Sequence, residues 1–357
     1  MMIPFKKGAA LLAPMVGITN RAFRTLVDEL GAPDWYWTEM ASAEALVAKA
    51  RYEESYTDPG PCPQKTSIQL FARSSEALAP ACRLLAERAP HERPAGVDLN
   101  FGCSAPNIRR MGAGSALSSD PDKAAAFVEA ARTAWPWTLS AKLRMGEMGD
   151  YDELLAFCMH LCDAGVDFLT IHPRLDSQKF RRRPHWDVIG ALSRDLPVPV
   201  VGNGDITSPE LFNSILEEEH PYALMIGREA VRRPWIFTLL SGPSSGSGVT
   251  GDGNQPIEGQ NNPSTHLRVD LRAVGLRFIE LASQYLPAAF QLESARRFFS
   301  YFCDNMSFAQ YLKVKLNRAS TLTEMAQDFS SYFEEVPTDL IVRPENRDDL
   351  SSLPPRA

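Results

Sequence analysis

Over the first 240 residues, short apolar runs alternate with longer stretches whose apolar positions recur at helical spacing. The runs lie at 10–15, 35–39, 66–71, 96–100, 138–143, 168–172, 198–202 and 222–226. They are apolar throughout rather than alternating, which is the pattern of strands covered on both faces. Helical periodicity fills the gaps at 20–30, 41–50, 74–88, 120–134, 151–164, 186–195, 208–218 and 229–240. Two of these stretches open on Ser118-Ser119-Asp120-Pro121 and Thr207-Ser208-Pro209, a capping side chain followed by proline in the first turn. Eight strand–helix units in about 240 residues predict an α/β chain folded as a (β/α)8 TIM barrel. A doubly wound parallel sheet is the other arrangement these elements allow.

The pattern changes at 241–265, SGPSSGSGVTGDGNQPIEGQNNPST, which has no periodicity and reads as a flexible linker or loop. Helical spacing returns over 266–336 in four segments, predicting a smaller all-α domain behind the barrel of 1–240. Residues 337–357 form a polar tail expected to be frayed.

Composition narrows the class. With 44% hydrophobic and 23% charged residues the chain is ordinary globular material. The net charge of −7 supplies no overall field for nucleic acid, so any such surface must be a local patch. Six cysteines, none in a C-x-x-C pair, are too scattered for a disulfide framework, and a reduced cytoplasm fits them best. Cys158 and Cys162 share a helix face and read as small core residues; no metal site is expected. MMIPFKKGAALLAPM does not read as a secretory signal, and no run reaches the ~18 apolar residues of a membrane span. A soluble protein, monomeric by default, is expected.

In a barrel the chemistry lies at the C-terminal strand ends. Strand one closes on Ala13-Pro14-Met15 and strand two on Thr38-Glu39-Met40; strand three carries Gln69. Strand four ends in Asn100, with Cys103 just beyond, and strand five carries Lys142 and Arg144. Strand six ends in His172 and Arg174, strand seven in Gly202-Asn203-Gly204-Asp205, and strand eight in Gly227-Arg228. A lysine inside an apolar strand must meet an anion or a carbonyl. The small residues and backbone N–H groups of G-N-G-D and I-G-R stand where barrels bind phosphate, with Arg228 adding a charge-assisted bond. A phosphate-bearing cofactor or substrate is therefore expected at strands seven and eight.

In order along the chain, LLAPMVGITNRAFR, TEMASAEAL, IQLFA, VDLNFGC, RRMGAGSAL, AKLRMG, TIHPR, VVGNGDI and MIGREA together resemble the tRNA-dihydrouridine synthases. These are FMN-dependent barrel enzymes with a C-terminal helical domain. The resemblance spans roughly 8–240 and continues more weakly through the helical region. It implies that Ala13, Pro14 and Met15 line the flavin ring through backbone atoms and that Gln69 bonds its pyrimidine edge. Lys142 would stabilise the anionic reduced flavin, and His172 would contact the ring or its phosphate arm. Asn203, Gly204, Asp205, Gly227 and Arg228 would hold the ribityl and phosphate end, and Asn100 would sit near the flavin and the substrate base. Cys103 matches the family's catalytic acid. Reducing uracil needs a hydride at C6 and a proton at C5, and a protonated thiol above the base can give the second. NADPH as electron donor is likewise implied by the family.

The chain departs from the family pattern in three places. Gly102-Cys103-Ser104 replaces Gly-Cys-Pro, Asn107 stands where a lysine is common, and HPRLDSQKF replaces H-x-R-T-x-x-Q. These positions bear on contacts to the substrate base more than on flavin binding.

A uridine in folded tRNA must leave its stack, so RNA contacts are needed elsewhere. Candidates are Glu39, Arg109, Arg110, Arg174, Arg181, Arg182, Arg296 and Arg297, with Arg183, Arg232 and Arg233 beside them. Between 266 and 320, eight Lys and Arg stand against four acids, a locally basic segment in an acidic chain. Two other readings share these residues: a dihydroorotate- or dihydropyrimidine-type dehydrogenase acting on a free base, and a catalytically weak flavin-containing RNA-binding protein.

Overall fold

The computed structural model describes residues 3–147, 149–178, 182–240 and 267–342. Eight strands form one parallel sheet: β1 Ala9–Leu12, β2 Tyr36–Ser42, β3 Thr66–Phe71, β4 Gly96–Phe101, β5 Thr138–Gly146, β6 Phe168–Leu175, β7 Val200–Asn203 and β8 Ala223–Ile226. β1 pairs with β8, so the sheet returns on itself. The Leu11–Trp35 bridge closes the seam between β1 and β2, with Leu12 N–H donating to Trp35 O at 3.0 Å. This is the (β/α)8 barrel, and the closure rules out the doubly wound sheet.

Helices follow in sequence: α1 Arg21–Glu29, α2 Ala43–Val47, α3 Glu53–Tyr56, α4 Leu78–Ala86, α5 Pro106–Arg110, α6 Pro121–Arg132, α7 Tyr151–Asp163, α8 Trp186–Asp195 and α9 Pro209–Glu219. Both proline-marked starts hold: Asp120 caps α6 by accepting from Lys123 N–H, and Ser208 caps α9 by accepting from Leu211 N–H. The stretch expected as one helix over 229–240 is two, α10 Arg228–Arg232 and α11 Ile236–Leu240, because Pro234 cannot continue the ladder.

The barrel interior changes character along its axis. At the N-terminal end it is plugged by Phe5, Trp35, Trp37, Phe168 and Met225, all buried, with Phe5 edge-on to Phe168 at 5.2 Å. Two residues further along the strands the inward positions turn polar, because side chains facing one side repeat with period two. Gln69 pairs in register with Asp98, and Asp98 with Ser140. The next level sets Asn100 opposite Lys142 and Lys142 opposite Thr170; the one above sets Arg144 opposite His172. The polar inward positions are thus gathered at one rim, with an apolar plug at the other.

The C-terminal region consists of α12 Leu271–Tyr285, α13 Ala288–Phe302, α14 Ala309–Arg318 and α15 Leu322–Glu335. Phe298 of α13 joins it to the barrel. It stacks on Phe278 at 4.0 Å and Phe302 at 4.9 Å, and meets Phe23 of α1 at 6.2 Å. The linker 241–265 lies outside the described residues, as do 343–357. The start of the expected frayed tail is ordered: β10 Ile341–Val342 pairs antiparallel with β9 Val269–Asp270, and Leu340 O accepts from Leu271 N–H at 2.9 Å. Val269, buried to 5% exposure, gives that short ladder an apolar anchor that the polar composition of the tail did not announce.

Phe298→Ala should destabilise the protein by about 3–5 kcal/mol, since it empties a ring-sized space shared by barrel and helical region. Denaturant midpoints at constant m-value measure this.

Candidate active site

The mouth is built on strand ends four to eight. Past Asn100 the chain leaves β4, and Asn100 Oδ1 accepts from Gly102 N–H at 3.2 Å and from Cys103 N–H at 2.9 Å. Ser115 N–H donates to Cys103 O at 3.0 Å, so both peptide groups of Cys103 are tied down. Gly114 makes this possible. Its φ is +61°, and a Cβ there would stand 2.5 Å from Cys103 O. The loop lacks proline at 104 but has Pro106 at the first position of α5, where proline is favoured. Stiffening thus enters two residues later than in the family pattern.

Burial pushes the Cys103 thiol above its ordinary pKa. A hydrogen bond from the Ala105 backbone and the charges of Arg144 and Lys142 pull the other way, and Asp176 reinforces the upward shift. Arg109 and Arg110 are not among the charges acting on the sulfur. The thiol is therefore protonated at neutral pH, as a general acid must be.

Lys142 projects from β5 with its ammonium in no hydrogen bond or ion pair among the described residues. Burial lowers its pKa to about 8, with Arg144 adding to the effect and Asp98 and Cys103 opposing it. Such a cation calls for an anionic or carbonyl-bearing ligand. His172 is 7% exposed and held neutral, first by burial and then by the cations Lys142, Arg144, Arg174 and Arg228 around it. Asp176 lies beyond β6, 7% exposed, with neither carboxylate oxygen in a hydrogen bond.

The phosphate end differs from expectation in one respect. Asp205, in the left-handed region at φ 45°, accepts from both Arg174 and Arg228, so its carboxylate orients arginines and is not itself an anion ligand. Asn203 Nδ2 donates to Met225 O at 2.8 Å and ties β7 to β8. Among the described residues, the Gly204 and Gly227 N–H groups find no backbone acceptor. Together with Arg228 they form a donor set whose chemistry fits a phosphate group.

Several expected RNA contacts are corrected by burial. Arg174 is 0% exposed; its guanidinium bonds Asp205, Arg182 O at 2.6 Å and His172 Nε2 at 3.2 Å. Glu39 is 7% exposed and accepts from Gly17 N–H, which fixes the turn after β1 rather than meeting RNA. Arg233 is 5% exposed on Glu229 and Thr207 O, and Arg232 pairs with Glu229 and Asp304. Arg296 donates to Ala319 O at 2.9 Å within the helical region. Arg297 is exposed but engaged, with Glu293 at 3.0 Å and Val16 O at 3.4 Å. Arg109 pairs with Glu147 at 3.3 Å, Arg110 bonds Pro106 O at 3.2 Å, and both stay exposed beside Cys103, as Arg182 does beyond β6. Arg181 lies outside the described residues. Four of the eight cations of 266–320 are paired with acids: Lys313 with Asp304, Lys315 with Asp328, Arg277 with Glu29 and Glu280, and Arg297 with Glu293.

Sequence reasoning passed over Asp98 and Asp176. Asp98 could have been found, since it lies two residues before Asn100 and so shares its face. Among the described residues no group of three or more His, Cys, Asp or Glu could hold a metal, and no helix is long and apolar enough to cross a membrane.

A (β/α)8 barrel that gathers a half-buried thiol, a buried lysine and a cluster of arginines at the C-terminal ends of its strands has the architecture of a barrel enzyme. Residues 11–245 match the family described as Dihydrouridine synthase (Dus). A probable tRNA-dihydrouridine synthase of Aquifex aeolicus is 33% identical over 241 residues, covering 65% of this chain and 72% of the relative. tRNA-dihydrouridine synthase B of Salmonella typhimurium is 33% identical over 230 residues, covering 64% and 69%, and the Escherichia coli protein of the same name gives the same figures. This chain belongs to the dihydrouridine synthase family and is an oxidoreductase.

The neutral state of His172 has a measurable cost. In the unfolded chain a histidine takes up a proton near pH 6.5, whereas the folded site refuses it, so stability is full above that pH and falls as pH drops. Between pH 6.5 and 5 the wild type should lose roughly 2 kcal/mol more than His172→Gln. Urea unfolding of both proteins at the two pH values checks this.

Proposed function

We propose that the protein is a tRNA-dihydrouridine synthase that reduces particular uridines of tRNA to 5,6-dihydrouridine, with FMN as cofactor and NADPH as electron donor. The observation that carries this reading is the Cys103 thiol, kept protonated by burial at the rim of a barrel that matches the dihydrouridine synthase family.

Saturating the C5–C6 bond of uracil takes a hydride at C6 and a proton at C5. Bound FMN, once reduced, supplies the hydride. The chain's residues do the rest. Lys142 meets the electron-rich pyrimidine side of the cofactor, where a negative neighbour restores the protonation that burial weakens. Ala13, Pro14 and Met15 would border the ring; the Gln69 and Asn100 amides, already bonded to each other, would have only their remaining N–H groups for its polar edge; His172, in contact with Arg174, would add no charge. Arg228, oriented by Asp205, holds the phosphate with the N–H groups of Gly204 and Gly227, while Asn203 keeps β7 and β8 together beneath it. Cys103 Sγ gives its proton to C5 of the base. Exposed Arg109, Arg110 and Arg182 meet RNA phosphates around the extruded nucleotide.

Mass spectrometry of tRNA from cells lacking the gene should show one or more dihydrouridines replaced by uridine, and the purified protein should leave free uracil unreduced. Cys103→Ala should stay yellow and accept electrons from NADPH, while tRNA reduction falls by about 10²–10⁴-fold. Undiminished turnover in that variant would show that the thiol is not the acid.

A further inference from the structure

We propose that Asp98 is a positioning residue: it sets the direction of a hydrogen-bond relay that runs through Gln69 and Asn100 and fixes the backbone of the Cys103 loop. The inference concerns the site described above and rests on that reading only for its purpose.

Asp98 is fully buried on the inward face of β4, below the rim. One carboxylate oxygen accepts from Ser140 Oγ at 2.6 Å and the other from Gln69 Nε2 at 2.7 Å. Gln69 Oε1 accepts from Asn100 Nδ2 at 2.8 Å. Asn100 Oδ1 then accepts from the N–H groups of Gly102 and Cys103. Three bonds thus run from a buried carboxylate to the N–H of the thiol residue, with a branch to the Gly102 N–H.

The chemistry of the donors dictates the direction. An amide side chain can present either its oxygen or its nitrogen, and the two orientations fill the same space. Asp98 removes that freedom, because an ionised carboxylate only accepts. Gln69 must turn its NH2 towards Asp98, which leaves its oxygen for Asn100. Asn100 must then give its NH2 to Gln69, which leaves its oxygen for the loop. Were Gln69 reversed, Asn100 would turn its NH2 towards two backbone donors and the loop would lose both bonds. The charge itself is costly at this depth: burial raises the Asp98 pKa to about 6, against the opposing bonds from Gln69 and Ser140 and the charge of Lys142. A carboxylate kept at such a place needs a use that an apolar residue could not serve.

The relay predicts that any acceptor at position 98 suffices, whereas a role as counter-ion to Lys142 would need the charge. Hydrogen exchange at the Gly102 and Cys103 amides separates the two, and it reads the relay directly whether or not the protein reduces uridine. In Asp98→Ala both amides should exchange about tenfold faster, the effect of losing one ordinary hydrogen bond. Asp98→Asn can turn its oxygen to Gln69 and its NH2 to Ser140 Oγ, the one orientation that leaves both loop N–H groups an acceptor, and so should exchange as the wild type does. Asn100→Ala should match Asp98→Ala, and combining the two should add nothing. Amides of β7 report global folding and should not change in any variant. In the flavin-loaded enzyme, oxidation of the reduced cofactor by tRNA should slow on the order of 10²-fold in Asp98→Ala and recover in Asp98→Asn. The relay is overturned if Asp98→Asn exchanges as fast as Asp98→Ala, or if Asp98→Ala still accelerates exchange in the Asn100→Ala protein.

Discussion

Closing eight parallel strands into a barrel brings their C-terminal ends to one ring, and in this chain the ring is crowded with like charge. Lys142, Arg144, Arg174 and Arg228 all act on His172, a residue already buried. Their mutual repulsion is the constraint to which the rest of the mouth answers. Asp205 takes up two of the arginines at once and adopts a left-handed backbone conformation to do so. Asp176 faces Arg144, and Asp98 lies beneath Lys142. His172 stays neutral because a further positive charge has no place there. Among the described residues the ammonium of Lys142 has no direct hydrogen bond or ion pair, only the more distant charge of Asp98, and what remains of its charge tells a ligand where its electron density belongs. The site is poised for an anion because the protein stops short of supplying the last one.

The helical region acts on the same ring from outside. Asn20 Nδ2 donates to Ser294 Oγ at 2.9 Å, Ser294 Oγ reaches Gly17 O at 3.3 Å, and Arg297 lies so close to Gly17 that a Cβ there would stand 2.6 Å from its side chain. Gly17 also has φ +74° and gives its N–H to buried Glu39. The turn after β1, which carries Ala13, Pro14 and Met15, is therefore gripped between β2 and α13. Residues that looked like RNA contacts in the sequence are what join the second region to the rim of the barrel, so its docking and the shape of the mouth are one problem.

The barrel was legible because its strands are buried on both faces and its helices carry caps, signals that lie within a few neighbouring residues. The position of the chemistry was legible for the same reason: once the strands are placed, Asn100, Lys142 and His172 fall on their inward faces by parity alone. The partners of the arginines were not. Arg232 meets Asp304 across 72 positions and Arg277 meets Glu29 across 248, and no local pattern encodes either. A run of basic residues has the same appearance whether it faces phosphate or a carboxylate from elsewhere in the fold. Arg174 shows the extreme: a cation with no exposure at all, spent on Asp205. Asp98 was readable from parity and register, yet an acid inside an apolar run gives no hint of the two amides that give it meaning until β3 lies beside β4.

The loop itself shows why burial, and not a charged partner, governs the thiol. A hydrogen bond from the Ala105 backbone and two cations lower the Cys103 pKa, one carboxylate raises it, and burial outweighs them, which keeps on the sulfur a proton that a thiolate would lack. Burial alone would also fail if it were complete, since a sealed thiol could neither meet a base nor regain its proton from water. Cys103 sits between these limits, half-buried on a loop whose backbone is held at both peptide groups while its side chain remains at the rim. Ser104 in place of proline does not undo this, because the constraint is carried by Asn100 before the thiol and by Gly114, Ser115 and Pro106 after it. Substitution at 104 therefore leaves the backbone of Cys103 held as before.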